Sequence, residues 1–291
     1  MTQPTPQLYA LTAAGPRPLP VPPGAADFTD LYAGLDLGVY SVIRTFAHNR
    51  FFQLDHHLAR TVNSMRLLGW DYQLDEARLR RAIHDLCTAY PASELRVRID
   101  ILAAPATALG SDSRDLIALM PFTPPPASLY TDGVALGYAT GLHRANPLAK
   151  TAGFADARKQ ATAQSTSGNV YEYLMTNDQG QILEATSANF YAVRDGMVYT
   201  AGEGVLEGVT RRIVLDLVAA AEIPLQWQAV PVGDVPLLAE AMISSSSRGI
   251  VPAVRIGDQV IGDGRPGPIT QQLIAAYNAY VAAHLKTALD R

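Results

Sequence analysis

Lysine is nearly absent from this chain of 291 residues: Lys150, Lys159 and Lys286 stand against twenty arginines. A surface that meets its need for positive charge with arginine leaves each lysine to be explained. Cysteine is scarcer still. Cys87 alone, in "LRRAIHDLCTAY", excludes a disulfide within the chain and reads as a small buried hydrophobe. There is no basic run, and a net charge of −4 argues against a general nucleic-acid binder. No apolar run reaches membrane-spanning length. The start, "MTQPTPQLYALTAAGPRPLPVPPG", lacks the basic and apolar regions of a signal peptide, so a cytoplasmic protein without membrane contact is expected. Walker and Gly-x-Ser-x-Gly motifs are missing as well. His56 and His57 are adjacent and cannot both face one metal from a helix, so no metal site is expected.

What is present is an ordinary globular composition, 48% hydrophobic and 17% charged. "GVYSVIRTF" and "RFFQLD" read as a strand hairpin around "AHN". "DHHLARTVNSMRLLGW" follows with Leu58, Val62, Met65 and Leu68 at helical spacing. "LDEARLRRAIHDLCTAY" is a second amphipathic helix, with Asp75 near its start and Pro91 just past its end. "ELRVRIDILAA" and "DLIALMPF" read as strands. These elements make a small α+β domain over residues 1–122. "TPPPASLYTDG" is a stiff connector, taken as residues 123–131. A larger domain, 132–291, follows with strand signals in "VALGYAT", "YEYLMTN", "ILEATSANFYAV" and "MVYTA" and helix signals in "TRRIVLDLVAAAEI" and "PITQQLIAAYNAYVAAHL".

Two lysines have plain explanations: Lys159 as a solvated helix residue, and Lys286 near the end of a C-terminal helix, where the dipole favours a cation. Lys150 has neither. In "NPLAKTAGF" it lies among apolar residues with no acid within five positions. It is either a snorkelling surface lysine or an amine of lowered pKa, able to attack a carbonyl. Four other features bear on that choice. "EGVTRR" puts Gly208 before a helix whose first amides, Val209 and Thr210, and whose Thr210 hydroxyl suit an anion, or are simply a cap. "ISSSSRGIVP" offers four hydroxyls, Ser244 to Ser247, or a polar loop. Glu184, in the apolar strand "ILEATSANF", needs a cationic partner, either a protonated ring nitrogen or an arginine. Arg60 in "HHLARTV" can clasp a phosphate, or is solvated. Together these are the requirements of pyridoxal 5'-phosphate: an amine, a carboxylate for the ring nitrogen, and phosphate donors.

The chain resembles the class IV aminotransferases, pyridoxal-phosphate enzymes of fold type IV that include branched-chain and D-amino-acid aminotransferases and aminodeoxychorismate lyase. "GVYSVIRTF", "LDHHLART", "AKTAGF", "ILEATSANFYAVRDGMVYT", "LEGVTRR", "MISSSSRGIVPAV" and "GRPGPITQQL" carry the likeness, in the family's order, from about residue 30 to about 275. The resemblance implies that Lys150 forms the Schiff base and shuttles the proton. It implies that Glu184 keeps the ring nitrogen protonated, and that Arg60, Val209, Thr210 and Ser246 hold the phosphate. Leu206 would pack on the ring, and Ser247 would help bind the substrate carboxylate. It also implies a small α+β N-terminal domain, a larger pseudo-barrel C-terminal domain, a site between them, and a homodimer.

Departures bear on the substrate. Ala155 stands where branched-chain enzymes have a tyrosine, and Ser41-Val42 where they tend to have Glu-Gly. Tyr40 and Val42 fit D-amino-acid enzymes better, yet "APATALGSDSRD" has no Arg-x-His carboxylate trap. Val42 also counts against a lyase, which usually has threonine there. Glu207 replaces a usual proline. Tyr40, Arg44 and Arg96 are further substrate-side candidates, with Arg98 and Arg144 as additional candidate carboxylate anchors. The expected activity is amino-group exchange between an amino acid, or amine, and a 2-keto acid. The alternatives are a lyase of the aminodeoxychorismate type and a non-catalytic relative.

Overall fold

The computed structural model describes residues 4–32, 35, 38–139, 141–142, 144, 146–154, 157–158 and 170–290. Ala155 and Lys159 lie outside the described residues. The chain divides into two compact units. Unit 1 comprises Met1–Pro124, Ala149–Asp156 and His284–Arg291, and unit 2 comprises Pro125–Leu148 and Ala157–Ala283. Compared with the split read from the proline-rich connector, residues 149–156, with Lys150, and 284–291 group with unit 1.

Unit 1 begins with β1 (Gln7–Thr12) and β2 (Gly15–Leu19), then β3 (Val39–Phe46), β4 (Arg50–Phe52), helices α1 (Leu54–Leu67) and α2 (Glu76–Ala89), β5 (Leu95–Ile101) and β6 (Asp115–Pro121). No strand was expected in the proline-rich start. It forms two because β2 is the edge of the sheet, where Pro16 and Pro18 remove no ladder bond that a further strand would need. Strand alternation gives the sheet two faces. Ile43 on β3, with Val97, Ile99 and Ile101 on β5, packs against Leu58 and Met65 of α1 and Leu79, Ile83 and Cys87 of α2. Tyr40, Val42 and Arg44 lie opposite Asp100, Arg98 and Arg96 on the other face.

Val62 was expected in the α1 stripe but is 45% exposed. The buried face runs through Leu54, His57, Leu58, Thr61, Ser64 and Met65, so its centre is rotated toward a polar seam of His57, Thr61 and Ser64. The α2 boundary follows the sequence signal, since Asp75 caps it by accepting from Arg78 N at 2.9 Å.

Unit 2 contains the short helix α3 (Ser128–Thr131), then β7 (Val134–Tyr138), β8 (Glu172–Thr176), β9 (Gln181–Ala185), β10 (Asn189–Arg194), β11 (Met197–Tyr199) and helix α4 (Val209–Ala220). It continues through β12 (Leu225–Gln226), β13 (Val230–Pro231), β14 (Glu240–Ser245), β15 (Gly249–Ile256), β16 (Gln259–Val260) and helix α5 (Pro268–Ala283). The strands pair in the sequence β10, β14, β15, β7, β8, β9, and β9 pairs back with β10 through Glu184 and Asn189. Six strands thus form a closed, barrel-like ring, which leaves them without free edges. Its apolar filling includes Leu136, Leu174, Ile182, Phe190, Ile243 and Val251. At the start of α5, Glu240 from β14 accepts from the amides of Ile269 and Thr270 at 3.0 and 2.7 Å. A side chain at Gly267 would collide with that carboxylate, its Cβ falling 2.3 Å from Cδ.

The chain then returns to unit 1 as β17 (Leu285–Thr287), paired with β4. Lys286 therefore lies in a strand opposite Phe51, which corrects its expected place on a helix. Pairing along β4 supplies backbone partners that a longer α5 would not provide there. Arg80 of α2 ties this end down: Nη1 donates to Ala288 O at 3.3 Å, Nε donates to Glu76 at 2.8 Å, and Nη2 donates to Asp55 of α1. Among the described residues, no helix is long and apolar enough to cross a membrane.

Candidate active site

In unit 1 the segment around Lys150 lies along the beginning of β3. Tyr40 N donates to Lys150 O at 3.1 Å, Ala152 N donates to Gly38 O at 2.9 Å, and Val39 and Thr151 form an isolated antiparallel bridge. On the other side, Lys150 N donates to Ser64 Oγ of α1 at 3.2 Å. The backbone is thus pinned to a strand and a helix, which fixes where the amine starts from. Lys150 Nζ lies 4.7 Å from the centroid of the buried Tyr40 ring, and the Arg98 guanidinium lies 4.4 Å from the same centroid.

Arg60, one turn along α1 from His57, donates from Nη2 to Ser41 Oγ at 3.2 Å. His57 is buried, and burial, then the charges of Arg60, Lys150 and His56, hold its imidazole well below the ordinary histidine range. A neutral ring among cationic side chains defines a positive pole. His57 and Ser41 were not anticipated as parts of this cluster. Their signal was position, His57 three residues before Arg60 on one helix face and Ser41 beside Tyr40.

In unit 2 the buried carboxylate of Glu184 has a worked-out environment. Arg144 Nε donates to Oε1 at 2.6 Å, while Oε2 accepts from Leu206 N at 3.2 Å and Asn189 Nδ2 at 3.3 Å. The arginine pairing weighed from sequence is present, and the side chains of both partners are nearly closed to solvent, 7% and 2% exposed. Asn189 was not anticipated. It stands directly across the β9–β10 turn from Glu184, and it also donates to Leu206 O at 2.8 Å.

Leu206 leads to Gly208, the N-cap of α4, which has no side chain to cap the first amides. A Cβ at Gly208 would fall 2.2 Å from Asn189 Oδ1, so glycine lets this loop approach the strand pair. The amides of Val209 and Thr210 open the helix, where the macrodipole favours an anion. Of the four serines, Ser244 is engaged with Tyr191 Oη at 3.0 Å and Ser245 Oγ accepts from Arg248 Nε at 2.9 Å. Ser246 and Ser247 occupy the turn between β14 and β15.

The candidate carboxylate anchors separate by their partners. Arg44 is paired with Glu94 at 2.7 Å and stacks on Phe46 and Phe122. Arg98 is held by both oxygens of Asp100, at 2.7 to 3.0 Å, and lies over Tyr32 and Tyr40. Arg144 is committed to Glu184. Arg96 differs. It rests over Phe28 and Phe122, 5.3 and 6.0 Å from their centroids, and among the described residues its buried Nε has no hydrogen-bond partner. Burial lowers its pKa, against the pull of Asp27. Among the described residues, no group of three or more His, Cys, Asp or Glu could hold a metal ion.

A closed ring of six strands, with a buried carboxylate at its closing pair and a helix N-terminus beside it, matches the larger pseudo-barrel domain that the resemblance to the fold type IV aminotransferases implies. Solved structures show the same architecture. A putative branched-chain amino acid aminotransferase from Thermotoga maritima superposes with a TM-score of 0.75 at 21% identity, over 95% of this chain and 96% of that one. Another branched-chain amino acid aminotransferase, from T.th. and solved with pyridoxamine 5'-phosphate, gives a TM-score of 0.78 at 18% identity over 99% of this chain and 100% of its own. Residues 38–256 match the amino-transferase class IV family, and the chain belongs to it. Curated relatives include a D-alanine aminotransferase of Staphylococcus haemolyticus, 32% identical over 102 residues. That match spans 34% of this chain and 36% of the staphylococcal enzyme, about a third of each. A D-alanine aminotransferase of Bacillus licheniformis is 26% identical over 90% of this chain and 94% of its own.

Proposed function

We propose that the protein is a pyridoxal-phosphate-dependent aminotransferase, exchanging an amino group between an amino acid, or amine, and a 2-keto acid. The observation that carries the reading is the setting of Glu184. An ionised carboxylate has about four acceptor positions, and three donors are in place around this one. One position is left for the N–H of a protonated ring. The start of α4, which the Gly208 cradle leaves open, suits the phosphate, so the residues fit the cofactor. The family, the D-alanine aminotransferase relatives and the pyridoxamine phosphate in one of the branched-chain enzymes support the same reading.

When bound, pyridoxal phosphate supplies a ring that delocalises charge from the substrate carbon. Lys150 would hold it covalently through Nζ and carry the proton to and from the substrate carbon, acting as acid and base at short range. The pinned backbone around Lys150 shortens that search. Glu184 would retain the proton on the ring nitrogen, with Arg144 holding the carboxylate in place. The amides of Val209 and Thr210, the Thr210 hydroxyl, Ser246 and Arg60 would hold the phosphate. Leu206 would lie against the ring. On the substrate side, Tyr40 would line the pocket, and Ser247 and Arg96 would take the carboxylate. Arg96 is preferred to Arg44 because Arg44 already has an acidic partner. We read the working protein as a cytoplasmic homodimer, on the strength of the resemblance and the single buried cysteine.

The test is the visible absorption of the purified protein during additions of single D- and L-amino acids, D-alanine first. A yellow protein bleached by one enantiomer, and restored by a 2-keto acid, is the expected result. Turnover without a keto acid would support the lyase instead, and a protein that takes up no pyridoxal phosphate would overturn the reading.

A further inference from the structure

A buried ion pair in unit 2 has no part in the chemistry above. Glu172, at the start of β8, accepts from Thr186 Oγ1 and Ser187 Oγ, both in the turn between β9 and β10. Arg248, in the turn between β14 and β15, donates from Nη1 to Glu172 Oε2 at 3.2 Å and from Nη2 to Ser187 Oγ at 2.8 Å. Its Nε donates to Ser245 Oγ at 2.9 Å, and its own carbonyl accepts from Tyr130 Oη at 2.8 Å. Both side chains are largely shielded, 8% and 16% exposed.

One pair thus joins two hairpin tips. The first tip directly follows Glu184 and precedes Asn189, the residues through which the strand ring closes. The second carries Ser246 and Ser247 just before Arg248. In the function proposed above, Glu184 meets the ring nitrogen of the cofactor and Ser246 meets its phosphate. Covalent bonds fix the distance between those two ends of the ligand, so the protein must hold the two tips at a matching distance. The β10–β14 ladder joins the two hairpins up to the pair Asn189–Ser244, and the ion pair spans the turns beyond that last pair, where Ser187 and Arg248 lie.

We propose that Glu172 and Arg248 are positioning residues that set the spacing between the ring-nitrogen site on one hairpin and the phosphate site on the other. Neither touches the cofactor. They act through Ser187, Thr186 and Ser245. The electrostatics agree. Burial works to raise the Glu172 carboxyl, but Arg248, the two hydroxyls and Arg158 outweigh it and hold the group below the usual range, so the pair stays ionised. Breaking one half leaves a buried charge and releases both tips.

The proposal rests on the cofactor reading, and the test separates the two. Pyridoxal phosphate engages both ends, whereas inorganic phosphate engages one. A ligand held at two points gains from the fixed spacing, and a ligand held at one does not. Glu172→Gln, Arg248→Met and the double variant are titrated as full-length apoprotein with pyridoxal phosphate, and with inorganic phosphate in competition. The expected result is a Kd for pyridoxal phosphate raised about tenfold or more, with the phosphate Kd changed by less than about twofold. The double variant should be no worse than either single, because the pair acts as one unit.

Equal weakening toward both ligands would overturn the proposal, placing Arg248 among direct phosphate contacts or general structural residues. Unchanged binding of both would overturn it as well. If Arg248→Met does not fold, Arg248→Lys keeps the cation but loses the fork that spans Glu172 and Ser187, and the same two constants decide. A wild-type protein that binds no pyridoxal phosphate defeats the cofactor reading itself. A wild type that binds, beside variants that bind equally well, defeats only the spacing role.

Discussion

Arg144→Met tests the environment of Glu184 without touching the carboxylate. In the cofactor-free protein this change removes the arginine bonded to Oε1, at 2.6 Å, from a pair whose side chains are 7% and 2% exposed. Removing one member of a buried pair costs about 3 to 5 kcal/mol, because the remaining charge stays buried without its counter-ion. Asn189 and Leu206 N still donate to Oε2, so the loss should lie near the lower end, about 3 kcal/mol. The signature lies in what the cofactor does next. A protonated ring nitrogen brings a cation to the same carboxylate, so saturating pyridoxal phosphate should recover a large part, about half, of the lost stability. By the same linkage, the variant binds the cofactor at least as tightly as the wild type. Urea unfolding with and without pyridoxal phosphate reads both quantities. A variant as stable as the wild type would show that the pair contributes nothing, and a loss that the cofactor leaves undiminished would show that Glu184 does not face the ring nitrogen.

Other perturbations give separate readouts. Lys150→Ala should abolish turnover while leaving the far-ultraviolet circular dichroism unchanged, because the hydrogen bonds that pin this segment to Ser64 and Tyr40 are made by the Lys150 backbone. Gly208→Ala should cost about 1 to 3 kcal/mol and weaken cofactor retention on dialysis, since its Cβ displaces the Asn189 side chain that holds Glu184; unchanged retention would refute that link. His57 has a pKa depressed in the folded state, so the unfolded chain takes up its proton first as pH falls. Its stabilising contribution is complete above the ordinary histidine value of 6.5 and declines below it, by up to about 1.4 kcal/mol per pH unit. His57→Gln should remove that slope from the denaturation curves. Arg80→Met should lower stability by about 2 kcal/mol or more, because one guanidinium serves Asp55, Glu76 and the carbonyl of Ala288.

The helices and central strands were legible in the sequence because each carries its own period and punctuation. Asp75 caps α2 where the pattern says it should, and the alternation in β3 and β5 separates the Ile43 face from the Arg44 face. What could not be read depends on a partner distant in the chain. Gln7–Thr12 is a strand because β6 lies beside it, and Pro16 and Pro18 are tolerated because nothing lies beyond them. The C-terminal segment ends as β17 and not as more helix because β4, far earlier in the chain, offers an edge, Leu285 pairing with Phe52. Val62 illustrates a subtler limit. Apolar spacing gives the period of a helix but not the direction of its buried face, and here polar residues facing Ser41 and Lys150 turn that face away from Val62.

For the site, the same division has a chemical form. Lys150 and Glu184 stand out in sequence because each is a charged residue in an apolar stretch, an anomaly visible without coordinates. Their supporting partners are ordinary residues in ordinary settings. Asn189 follows a small-residue turn, as many asparagines do, and only the closing pair of the strand ring shows that it faces Glu184. Arg144 was one of four arginines suited to a substrate carboxylate. Its commitment to Glu184, with Arg44 on Glu94 and Arg98 on Asp100, leaves Arg96 as the member of that set whose guanidinium lies on phenyl rings and has no acidic hydrogen-bond partner among the described residues. A residue's type reveals what it can bind. The structure reveals what it is already bound to, and for anion recognition the second decides between arginines that the first leaves equal.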